Sequence, residues 1–130
     1  MSLPKRRTSN AGRVRSGIER AEQRDWPTHR KWVRGFACVV CAQDGGVGIG
    51  RIECAHVRMG TDGGTSIKPH DAFTLPLCGI HHLQQHATGE ATFARLYAKA
   101  FPKGMKARAL EFARQSPVAE VRERARRESV

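Results

Sequence analysis

Two pairs of cysteine and histidine residues have the spacing of metal ligands. Two residues separate Cys38 from Cys41, and two residues separate Cys78 from His81. A structural zinc ion takes four such ligands in a tetrahedron, and a two-residue spacer lets one turn of the chain present two of them. The two pairs lie 36 residues apart, so the chain must fold back to join them. The sequence therefore predicts a structural zinc site at these four residues.

Two further histidines predict a second metal site directly after the first. His82 and His86 are four residues apart, which places them on one face of a helix, where two imidazoles can chelate one divalent ion. His81 points about 100° away from His82 on such a helix, so it can serve the zinc ion instead. The spacing leaves His82 and the spare Cys54 open as the fourth zinc ligand. It also leaves open that His86 is an ordinary solvated residue.

The charge of the chain predicts a polyanionic partner such as nucleic acid. Lys and Arg number 23 against 12 Asp and Glu, a formal net charge of +11. Residues 1–35 carry +7 and residues 91–130 carry +6, whereas residues 36–90 carry −2. The centre therefore suits a bound cation, and the flanks suit the phosphate backbone. Solvated arginine-rich helix faces are the alternative, and an acidic membrane surface is disfavoured because no long apolar stretch is present.

His56 is the candidate general base. Residues 51–58 alternate in the manner of a strand, which puts Cys54 and His56 on one face. A histidine that faces a metal on the helix can take a proton from the water that attacks phosphorus, while the metal neutralises the leaving oxygen. Asp71 is the second candidate catalytic residue, because it can orient His56 through a hydrogen bond. A simple turn residue is the alternative for Asp71.

Five basic residues are candidates for contacts with DNA. Lys5, Arg6 and Arg7 belong to a basic N-terminal arm. Arg58 and Lys68 lie beside and within a glycine-rich loop and can contact the scissile phosphate, although ordinary surface positions would explain them nearly as well.

The elements that must position these residues predict an α+β fold with a central core over residues 36–90. In this core we expect a strand at 51–58, a crossing loop, an apolar strand at 72–77, and a helix that begins after Cys78 and ends near Gly89.

The flanks of this core are predicted to be basic and mostly helical. Residues 1–35 are expected to hold the arm and a short helix over 18–24 that ends before Pro27. Residues 91–130 are expected to form basic helices, the last of them capped by Ser116.

The order of these motifs resembles the HNH, or ββα-metal, endonucleases. The resemblance rests on the Cys-x-x-Cys pair, the Ala-His-Val strand, the glycine-rich loop, Lys68-Pro69-His70-Asp71, and the segment from Leu75 to His82. It covers about residues 36–90. More narrowly, the sequence looks like the prophage-encoded YbcO-like group, a relative of the phage recombination nuclease Ref.

The resemblance implies a ββα-metal core, stapled by a structural zinc, that hydrolyses DNA phosphodiester bonds. It implies one catalytic divalent ion, usually magnesium or manganese, with His82 and His86 as its helix ligands. The base of such enzymes would fall on His56, and Asp71 is the nearest candidate for their middle polar residue.

One position departs from the family pattern. Many HNH proteins carry a metal ligand immediately before the base, where this chain has Ala55. Glu53, Asp71 or water can complete the site, His56 can itself be the missing strand ligand, or the site is degenerate.

We therefore predict a metal-dependent DNA endonuclease of phage or prophage type, acting in recombination or DNA processing. Two rivals stay open: a degenerate nuclease that binds DNA without cleaving it, and a zinc-stapled module that binds a protein partner. The Cys–His spacing, together with N-terminal charges that no apolar segment follows, predicts reduced thiolates in the cytoplasm.

Overall fold

The computed structural model describes residues 22–45, 50–63 and 67–128. Within these ranges the chain forms a two-stranded sheet and six helices, which confirms the predicted α+β class. The elements are α1 (Pro27–Val33), α2 (Val39–Gln43), β1 (Ile52–His56), β2 (Thr74–Cys78), α3 (Gly79–Thr88), α4 (Glu90–Leu96), α5 (Met105–Ala113) and α6 (Ala119–Glu128). Lys5, Arg6 and Arg7 lie outside the described residues, as does most of the helix predicted over 18–24.

The two strands pair antiparallel at the centre of the fold. Ile52 lies opposite Cys78, and His56 lies opposite Thr74. Every residue of β2 is buried, because α1, α2, α3 and α5 all contact this strand. Both strands fall where the alternating and apolar patterns predict them. β2 ends at Cys78 and α3 begins at the next residue, so the second pair of zinc-type ligands sits at a strand-to-helix junction.

The apolar core lies between β2 and the helices that follow it. Phe73, Leu75 and Leu77 are fully buried, and Phe93 and Phe101 pack together beside them. Burying each such side chain contributes about 1.5–3 kcal/mol. This core therefore fixes β2, from whose last residue α3 continues. Among the described residues, no helix has both the length and the apolar character needed to cross a membrane.

The first described helix corrects the prediction for the N-terminal segment. Residues 22–24, the described part of the helix predicted over 18–24, are not helical, and a helix that the sequence did not predict begins at Pro27. Proline lacks a backbone N–H, and the first turn of a helix has no intrahelical partner for that group, so proline suits a helix start. As a result α1 packs on the sheet, burying His29 and Val33.

Ser116 also differs from its predicted role. α6 begins at Ala119, and the Ser116 hydroxyl accepts a hydrogen bond from the Val118 N–H at 3.0 Å. The same hydroxyl lies 2.8 Å from Nδ1 of the fully buried His29. Ser116 thus joins the first and last described helices, a contact between residues too far apart in the chain for a capping pattern to indicate.

The buried histidine predicts that stability falls in mild acid. Burial lowers the pKa of His29 from 6.5 to about 4, so between these values the unfolded chain binds a proton that the folded chain excludes. The contribution of the neutral His29 to the free energy of unfolding is complete above pH 6.5 and should fall by about 2 kcal/mol by about pH 5. Urea unfolding of the wild type and of His29→Gln, which does not titrate, would measure it. The variant should lose about 2 kcal/mol of the pH difference, while the buried His70, whose pKa burial also lowers, adds a further part in both proteins. An equal difference in both proteins would contradict the prediction.

Candidate metal centre and histidine cleft

Three cysteines and one histidine come together as a candidate metal centre. Nδ1 of His81 lies 3.5, 3.4 and 3.3 Å from the Sγ atoms of Cys38, Cys41 and Cys78, and the Cys41 and Cys78 sulfurs are 3.9 Å apart. A zinc tetrahedron requires about 3.8 Å between two sulfurs and about 3.6 Å between sulfur and nitrogen. The ligand atoms all lie within 4.8 Å of one another. The cluster therefore fits a zinc-type ion, as the spacing predicts.

Two short pieces of backbone present these ligands. Cys38 directly precedes α2 and Cys41 lies within it, whereas Cys78 ends β2 and His81 lies in the first turn of α3. The geometry also resolves the open choice of fourth ligand. His81 completes the cluster, and Cys54 lies outside it.

His82 and His86 form a second pair of candidate ligands on α3. Their Nε2 atoms are 3.2 Å apart, while Nδ1 of His82 lies 2.6 Å from Oε1 of Glu53 on β1. The carboxylate favours the tautomer with a proton on Nδ1, so the Nε2 lone pair of His82 is available. Two nitrogens that each lie about 2.1 Å from one ion are about 3.0–3.4 Å apart. The pair therefore fits two ligands of one divalent ion.

His56 is held by a buried carboxylate. Its Nε2 atom lies 2.8 Å from Oδ1 of the fully buried Asp71. Oδ2 of Asp71 accepts hydrogen bonds from the Trp26 backbone N–H at 2.6 Å and from the Arg30 guanidinium. Burial raises the pKa of Asp71, but the hydrogen bonds from His56, Trp26 and Arg30 outweigh it and lower the pKa to about 2. Asp71 is therefore charged at neutral pH and orients the imidazole of His56.

Two of these partners were missed by the sequence reasoning. Arg30 and Trp26 lie 41 and 45 residues before Asp71, and no local pattern links them. Glu53 was considered only as one way to complete the site, whereas its observed contact is with His82. An alignment of related sequences in which an arginine at position 30 and an aspartate at position 71 occur together would have indicated this contact.

The histidines face one open cleft. Its volume is about 570 Å³, and its walls include His56, His82, His86, Arg58 and Lys68. The structure thus brings together the predicted base, the predicted helix ligands and two of the predicted DNA contacts.

The basic residues of the cleft have partners on neighbouring segments. Nζ of Lys68 pairs with Asp25 at 2.9 Å. The Glu90 carboxylate accepts hydrogen bonds from the backbone N–H groups of Arg58 and Met59 at 2.7 and 2.9 Å. Glu90 therefore fixes the chain that follows β1, and with it the position of Arg58 at the cleft.

The position before His56 supplies no ligand. Ala55 is fully buried and pairs across the sheet with Leu75, so it faces the core. The period of two in a strand explains why it cannot share the cleft with His56. Within the described ranges, the carboxylate in hydrogen-bond contact with the histidine pair is that of Glu53, which lies against His82.

A comparison with protein-family models shows the family of this chain. Residues 18–112 match the family described as "Protein of unknown function (DUF968)". The chain belongs to the DUF968 family. No curated protein and no solved structure matches this chain. In this DUF968 protein the matched region contains the Cys–His cluster, the histidine cleft and Asp71, and it ends within α5.

Proposed function

We propose that this DUF968 protein is a metal-dependent DNA endonuclease of phage or prophage type that hydrolyses phosphodiester bonds. β1, β2 and α3 would form a ββα-metal core, stapled by zinc at the Cys–His cluster. One observation carries the proposal: a histidine oriented by a buried carboxylate shares a cleft with two histidines whose nitrogens converge at 3.2 Å. A general base beside a cation site is an arrangement that can catalyse phosphodiester hydrolysis.

The residues of the cleft would have different roles in hydrolysis. The Asp71 carboxylate would accept a hydrogen bond from Nε2–H of His56, which leaves the lone pair on Nδ1. No hydrogen bond from a described residue reaches Nδ1. His56 would take a proton from water through Nδ1 as the water oxygen bonds to phosphorus and the bond to the leaving 3′ oxygen breaks. Arg58 and Lys68 would contact the phosphate.

The second metal would be held by the histidine pair. Nε2 of His82 and Nε2 of His86 are the nitrogens that would bind it, and Glu53 would hold His82 in the required tautomer. Mg²⁺ or Mn²⁺ bound there would supply charge neutralisation at the leaving oxygen and would orient the phosphate.

Nicking of supercoiled plasmid tests the proposal. The purified, zinc-loaded protein should cleave only when Mg²⁺ or Mn²⁺ is added, and His82→Ala should remove this activity. Leu83→Ala is the matched control, because Leu83 is a neighbouring residue of α3 that is 72% exposed. Cleavage that needs no added metal, or that His82→Ala leaves intact, would contradict the metal assignment.

A non-catalytic DNA-binding protein is the second candidate. In the part of the chain that the structure describes, the Cys–His cluster is the one group in which three or more ligand atoms lie within 4.8 Å, and Ala55 faces the core. A degenerate nuclease would keep the zinc site and lose the second ion. Salt-dependent DNA binding by a folded protein that cleaves no DNA form with either metal would favour this candidate.

A further inference from the structure

A groove lined by three arginines adjoins the histidine cleft. Arg30, Arg34 and Arg51 line an open groove of about 590 Å³ together with residues 52–54 of β1. Cys54 lines both this groove, which we call the arginine groove, and the histidine cleft. The two depressions therefore adjoin at Cys54 on β1.

Two of the three arginines of the arginine groove have no carboxylate partner among the described residues. The groove's one carboxylate, that of Glu53, lies 2.6 Å from His82. Arg30 is bonded to Asp71 and Asp25. Arg34 and Arg51 form no ion pair and no side-chain hydrogen bond with any residue in the described ranges. Two guanidinium groups without a carboxylate partner on one groove favour an anionic ligand, because such a ligand supplies their countercharge.

Most arginines of the C-terminal helices α5 and α6, by contrast, have carboxylate partners. Arg108 pairs with Glu111, and Arg126 pairs with Glu123. Arg124 contacts three carboxylates and Arg127 contacts one of the same three, that of Glu22. These four arginines of α5 and α6 are therefore each paired with a carboxylate, unlike Arg34 and Arg51.

We propose that the arginine groove binds the sugar–phosphate backbone of the DNA strand next to the histidine cleft. Arg34 and Arg51 would each contact a phosphate, since a guanidinium can donate two parallel hydrogen bonds to one phosphate group. Arg30, fixed by the carboxylate that also orients His56, would set the end of the groove nearest to the base. This assignment rests on the proposed function, because it takes DNA as the substrate.

Two matched pairs of substitutions test the groove. Arg34→Gln with Arg51→Gln and Arg126→Gln with Arg127→Gln each remove two positive charges from exposed residues. Binding of fluorescent DNA to the full-length, zinc-loaded chain would be measured by anisotropy across a range of salt, without added Mg²⁺ or Mn²⁺. The groove pair should weaken binding by about tenfold or more and should lower the salt slope by roughly two units. The control pair should change both quantities much less.

The outcomes separate this inference from the proposed function. If the wild type binds and cleaves DNA and the two pairs weaken binding equally, the groove assignment is overturned and the nuclease stands. If the wild type binds no DNA, both fall together. A binding loss in the groove pair with wild-type zinc content and circular dichroism supports the groove. Recovery of binding in Arg34→Lys with Arg51→Lys would support it further.

Discussion

Replacing Cys78 by serine should release the zinc ion and unfold the protein, whereas replacing Cys54 by serine should do neither. Cys78 contributes one sulfur to the Cys–His cluster, and Cys54 lies outside it. A structural zinc site contributes about 10–16 kcal/mol of apparent binding free energy. The total stability of a domain is only about 5–15 kcal/mol. Loss of the site should therefore exceed what the apolar core can offset.

The local structure around the cluster explains this dependence. α2 has five residues and no side-chain cap, so it is far too short to be stable by itself. Zinc content per chain, together with circular dichroism before and after a chelator, would measure the effect. Cys54→Ser is the matched control, because it removes a partly buried thiol without touching the cluster. A Cys78→Ser protein that stays folded without zinc would show that the core suffices.

Replacing His56 by alanine should lower the rate of DNA cleavage by about 10²–10⁴-fold without changing the metal dependence. A general base contributes about this much, and His56 lies apart from the pair of candidate ligands. Glu53→Gln should instead change the metal dependence. It should raise the Mn²⁺ concentration at half-maximal rate by about 10–100-fold, since partners of metal ligands contribute about that much to affinity.

The contrast between the two variants makes the roles testable. Initial rates over a series of Mn²⁺ concentrations would give the maximal rate and the metal midpoint separately. If His56→Ala shifted the midpoint as strongly as Glu53→Gln, His56 would be a metal ligand, one of the options that Ala55 leaves open. Zinc content equal to that of the wild type would be the control for folding in both variants.

The local features of the fold and of the cluster followed from the sequence. The two-residue spacers, the alternation around His56 and the spacing of His82 and His86 each concern neighbours in one turn or strand. Local geometry fixes such arrangements, so the strands, α3 and the choice of ligand types could be predicted. Pro27 shows the limit even at short range, because proline occurs both in the first turn of a helix and shortly after a helix ends.

Only the tertiary structure decided which distant residues act on the site. Arg30 reaches Asp71 across 41 residues, and Glu53 reaches His82 across 29. The sequence contains the charges of the C-terminal arginines, but only folding shows that most of those on α5 and α6 face carboxylates while Arg34 and Arg51 do not. Which side chains can bind a metal depends on single residues and on short spacings in the sequence. Partner choice depends on which surfaces the apolar core brings together, and no local pattern encodes that.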